Sequence, residues 1–63
     1  MKLIKATELN AGHKIIKCGK VFEVVNVQKY PYEVYVRVKE DIDGNIIEYN
    51  IHMSPLKFCK IAD

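Results

Sequence analysis

Asp43-Gly44-Asn45-Ile46-Ile47-Glu48-Tyr49-Asn50-Ile51-His52-Met53 is the stretch on which the fold turns. It opens on a Gly-centred turn and then alternates, with Ile47, Tyr49, Ile51 and Met53 on one face and Glu48, Asn50 and His52 on the other. Upstream, Tyr32, Val34, Val36 and Val38 alternate in the same way against Glu33, Tyr35, Arg37 and Lys39. Two such runs joined by Asp-Gly predict a β-hairpin, because a tight turn needs residues that tolerate positive φ. With Asp43-Gly44 as the turn, Val38 faces Tyr49, Val36 faces Ile51, Val34 faces Met53, and Lys39 lies opposite Glu48. A turn centred one residue earlier keeps the same faces but sets Arg37 opposite Glu48, so the faces are firmer than the register.

Working outward, Lys29-Tyr30-Pro31-Tyr32 is a connection, since Pro31 lacks the amide hydrogen that a ladder needs. Val21 to Gln28 reads as a strand with Phe22 and Val24 on one face and Val25 and Val27 on the other. That switch of faces predicts a bulge or sharp bend. Gly19-Lys20 suits a type II′ turn back to a strand from Lys14 to Cys18, with Ile15 and Ile16 on opposite faces. Thr7-Glu8-Leu9-Asn10 can form one helical turn before the permissive Gly12, and Lys2-Leu3-Ile4-Lys5 is a short first strand. After the hairpin, Ser54-Pro55 breaks the chain, Pro55-Leu56-Lys57-Phe58 can make a 3₁₀ turn, and Cys59-Lys60-Ile61 a last strand. Five or six short strands and no long helix define an all-β class: one domain, a small antiparallel SH3-like barrel.

The composition narrows function mainly by exclusion. Sixty-three residues, 49% of them hydrophobic, make one small core, and the abundance of Val, Ile and Tyr favours strands. The net charge of +2 is small but unevenly placed. Residues 1–31 carry six lysines against two glutamates, whereas residues 32–63 carry four basic against six acidic side chains. Met1-Lys2-Leu3-Ile4-Lys5 is no signal peptide and no later run could span a membrane, so a soluble cytoplasmic protein is expected. Without export, Cys18 and Cys59 read as reduced, small, buried or half-buried hydrophobes. Together with His13 and His52 they offer zinc-binding atoms, but His13-x4-Cys18 and His52-x6-Cys59 match no compact zinc motif, and no metal or cofactor is expected. No nucleophilic triad, phosphate loop or carboxylate pair points to catalysis, so the chain reads as non-enzymatic.

Thr7-Glu8-Leu9-Asn10-Ala11-Gly12, followed by Ile15, Gly19 and Phe22-Glu23-Val24-Val25, resembles the N-terminal KOW-like, SH3-like domain of translation elongation factor P. The related hypusine-containing factor of eukaryotes and archaea shares that pattern. Val36-Arg37-Val38-Lys39 and Gly44-Asn45-Ile46-Ile47-Glu48-Tyr49 look like the second hairpin of the same domain. The resemblance spans roughly Thr7 to Met53 and implies nucleic-acid or ribonucleoprotein binding. It departs from the family where the family's modified, Gly-flanked lysine should stand. Here the connection is Gln28-Lys29-Tyr30-Pro31-Tyr32, shorter and without glycines, so Lys29 is not that lysine. The OB-fold domains of those factors are missing as well, which suggests a small accessory protein of a phage or mobile element.

Tyr30, Tyr32 and Tyr35 cluster with Lys29 and Arg37. If Tyr32 points inward with Val34, the exposed set is Tyr30, Tyr35 and Arg37, with His52 opposite or diagonal to Tyr35. Rings interleaved with cations suit base stacking and phosphate pairing, with Lys14, Lys17 and Lys20 as a source of long-range attraction. Tyr and Arg are equally the residues of protein-interface hot spots, and the acidic Glu40-Asp41-Ile42-Asp43 loop would repel phosphate. Two classes thus stand: an RNA or ribonucleoprotein binder, and a protein–protein interaction module.

Overall fold

The computed structural model describes residues 2–62. Its strands are β1 (Lys2–Lys5), β2 (Lys14–Lys17), β3 (Lys20–Lys29), β4 (Val34–Ile42), β5 (Asn45–Met53) and β6 (Phe58–Ile61). A single 3₁₀ turn, Ala6–Glu8, follows β1. All pairings are antiparallel, in one sheet of order β1-β6-β2-β3-β4-β5. With no long helix among the described residues to cover it, a lone sheet buries one face only by bending over itself. The fold is therefore all-β. The barrel stays open, because among the described residues β1 pairs only with β6 and β5 only with β4.

Of the two registers open to the deciding hairpin, the structure has the one with Asp43-Gly44 as the turn. Ile42 pairs with Asn45, leaving Asp43-Gly44 as the turn, with φ of 50° and 85°. Positive φ at both positions defines type I′, whose twist matches that of the flanking strands. The Gly44 N–H donates to Asp41 Oδ1 at 3.0 Å and tightens the bend. Val38 meets Tyr49, Val36 meets Ile51, Val34 meets Met53 and Lys39 meets Glu48. The inward alternation ends before the tip, where Ile47 is exposed rather than packed.

Other elements depart from expectation. Lys17 pairs with Lys20, so the second tight turn is Cys18-Gly19 and not Gly19-Lys20. Both of its central residues have positive φ, 52° and 75°, making it a second type I′ turn with Cys18 in the left-handed region. In β3 the register slips between Val24 and Asn26 and leaves Val25 unpaired. This bulge returns Val27 to the inner face opposite Val36, where it packs on the core, instead of leaving it outside with Val25. Tyr32 is 92% exposed, which corrects its inward assignment. It lies in the Tyr30–Glu33 loop, closed by a Tyr30 N–H to Glu33 C=O bond of 2.9 Å, and the ladder begins only at Val34. The segment after β5 forms a turn over Pro55-Leu56, closed by Lys57 N–H to Ser54 C=O at 3.1 Å, rather than a 3₁₀ turn.

Val24, Val34, Val36 and Val38 form the fully buried centre together with Leu9, which arrives from the turn after β1. Ala6 and Thr7 anchor that turn by donating to the carbonyls of Lys57 and Pro55 at 2.8 and 3.3 Å. Cys59 and Met53 are also buried, whereas Cys18 is exposed on its turn and so differs from the buried or half-buried position expected for it.

Candidate binding face

On the outer face of β3, β4 and β5 the structure gathers four of the residues singled out in the sequence. Tyr35 and His52 are cross-strand partners whose rings stack at 4.9 Å with 29° between planes. Bonded pairs alternate with unbonded ones from the Ile42–Asn45 closure, which makes Tyr35–His52 an unbonded pair, the kind whose side chains approach most closely. Tyr30 reaches over from the neighbouring loop and meets Tyr35 edge-on at 5.9 Å, 81°. Arg37 lies one outward position along β4, opposite Asn50. Lys29 ends β3 beside Tyr30 and is exposed.

Two carboxylates hold this face together: Glu33, whose role the sequence reading passed over, and Glu48, which it set opposite Lys39 or, in the alternative register, Arg37. Glu33 Oε1 accepts from the Tyr35 hydroxyl at 3.2 Å, and its Oε2 lies 3.1 Å from His52 Nε2. The bond to Glu33, and then the charge of Glu33, raise the Tyr35 hydroxyl above the ordinary tyrosine pKa. Arg37 Nε donates to Glu48 Oε1 at 3.0 Å and Nη1 to Asn50 Oδ1 at 3.4 Å. Glu48 thus bonds diagonally to Arg37 although Lys39 stands directly opposite it, while Lys39 turns to Glu23 at 3.6 Å. Asn26, Gln28, Tyr35, Arg37 and Asn50 enclose a shallow polar hollow of about 190 Å³. Asn50 shares the outward alternation of Tyr35 and Arg37, the signal that could have found it, whereas Asn26 and Gln28 face outward only because the bulge at Val25 shifts their parity.

Lys14, Lys17 and Lys20 do not join the face. Lys14 stands opposite Glu23, Lys20 lies 3.5 Å from Glu40 Oε2, and Lys17 borders a separate cleft. That cleft, about 310 Å³, opens between the end of β5 and β6. Ile15, Phe22, Ile51, Met53 and Cys59 supply its apolar surface, and Lys17, Lys57 and Lys60 its charge. Among the described residues none of these three lysines is paired with a carboxylate. Burial pushes the Cys59 thiol up, partly offset by the charges of Lys57 and Lys17. The two cysteines are free, and no three His, Cys, Asp or Glu side chains converge as metal ligands among the described residues. Among the same residues no helix is long and apolar enough to cross a membrane.

No family model, no curated protein and no solved structure matches the chain.

Proposed function

We propose that the chain is a non-enzymatic binding module whose Tyr30, Tyr35, Arg37 and His52 face docks a protein. The observation that carries this reading is the internal neutralisation of the face. Glu33 serves Tyr35 and His52, and Glu48 serves Arg37, so little positive charge is left for a phosphate backbone. Aromatic rings held by polar neighbours lose little freedom on docking, and Tyr and Arg dominate the energetics of protein interfaces. Capture from host lysate with nuclease present tests it. One stoichiometric protein should be retained, and Tyr35→Ala should weaken its binding roughly five- to a hundredfold. Capture that disappears with nuclease overturns the reading.

A second reading, an RNA or ribonucleoprotein binder, is favoured by exposed Lys29 beside Tyr30 and by the resemblance to the elongation-factor domain. Lys29 and Arg37 would pair with phosphates while Tyr30 and Tyr35 stack on bases. In that case short single-stranded RNA binds at low salt, and Arg37→Ala removes about one phosphate contact from the salt slope. Either activity suits a cytoplasmic accessory protein of a phage or mobile element.

A further inference from the structure

The two ends of the sheet differ in a way that points to a partner. The β1 edge is four residues long and includes Lys2 and Lys5, a common device against strand addition. The β5 edge is nine residues long with no proline, lysine or bulge, and its single charge, Glu48, is held by Arg37. Because Ile42 and Asn45 close the two-residue turn as a bonded pair, every second residue of β5 turns its backbone away from β4. The N–H and C=O groups of Ile46, Glu48, Asn50 and His52 therefore face the open edge.

We infer that this edge pairs antiparallel with β5 of a second copy of the chain, about a dyad at Tyr49. Only this register pairs the whole strand. Ile47 then faces Ile51 of the second copy, Ile46 faces His52, and Glu48 faces Asn50. A shift that centres the dyad on Glu48 instead sets that carboxylate against its own copy. The centred register also engages the cleft. Residues 51–53 of β5 border it, and they lie beside residues 45–47 of the second copy, so the hairpin tip of each copy covers the cleft of the other. On the inner face the tip carries Ile42 and Ile47, exposed by 42 and 43%, and beside them lie Asp41 and Asp43. The cleft offers apolar side chains and the lysines Lys17, Lys57 and Lys60. Apolar surface meets apolar surface, and acidic side chains meet basic ones, twice over. The pairing is isologous and closes as a dimer, leaving only the lysine-guarded β1 edges outside.

Sedimentation velocity of the wild-type chain should show the mass doubling within a range of about 1 μM to about 1 mM. Asn50→Glu sets one new carboxylate against Glu48 at each of the two symmetric contacts across the dyad and should weaken the dimer about two- to thirtyfold. Within one chain the same carboxylate lies beside Arg37, so the thermal midpoint of the monomer is retained and loss of fold is distinguished from loss of pairing. Asn50→Lys should tighten the dimer by a similar factor, and Lys57→Glu should weaken it. A chain that stays monomeric across the range overturns the inference. So does a dimer indifferent to both Asn50 substitutions.

Discussion

Glu40 is the one charged side chain buried among the described residues, and the side chains around it explain how it is tolerated. The Tyr49 hydroxyl donates to its Oε1 at 2.9 Å and Lys20 approaches its Oε2 at 3.5 Å, so both oxygens are served. Burial first, and then the Glu40 bond and charge, push the Tyr49 pKa above its ordinary value. The neutral phenol is the form that donates. Its contribution is complete below the ordinary tyrosine pKa near 10 and is lost as pH rises through the higher folded value. Tyr35 titrates in the same direction through Glu33. The thermal midpoint should therefore fall above about pH 10. Tyr49→Phe should lower the midpoint at neutral pH, by leaving Glu40 to Lys20 alone, and should flatten part of the alkaline fall. A midpoint equally steep in pH for both proteins would contradict this account.

At the scale of elements, the tight turns show what local sequence does and does not specify. Asp43-Gly44 was legible because Asp and Gly both accept positive φ and sit between two strictly alternating runs. Gly44 has φ of 85°, and an added Cβ would meet no atom within 4 Å. Gly44→Ala should thus cost about 1–2 kcal/mol from backbone strain alone, read as a lower denaturation midpoint with unchanged slope. Cys18-Gly19 was misplaced by one residue because cysteine is not a residue that announces positive φ; ladder pairing from Lys17 to Lys20 imposes it. The bulge at Val25 was foreseen from the switch of apolar faces, but its effect on Val27 depends on β4, which lies distant in sequence. The proposed binding face divides in the same way. Tyr35, Arg37 and His52 followed from alternation and register, whereas the pairing of Glu33 with two rings and of Glu48 with Arg37 depends on side-chain reach that periodicity does not encode.

At the scale of the whole molecule, burial separates two thiols of one chemical kind. Cys18 sits exposed on its turn, while Cys59 is packed against Met53 with its S–H directed to Met53 Sδ at 3.6 Å and its ionisation opposed by burial. An alkylating reagent at neutral pH should modify one cysteine per folded chain quickly, and both only after denaturation. Equal rates for the two in the folded protein would show that the cleft above Cys59 is open to reagents. The topology has a mechanical meaning too. β1 and β6 are antiparallel neighbours, and Lys2 at the start of one lies opposite Ile61 at the end of the other. A pull applied through the chain beyond these residues would load the hydrogen bonds of this ladder one after another, as a zip opens. It would not shear them together. However cooperative its chemical unfolding, the domain is built to yield at low force when drawn out by its ends.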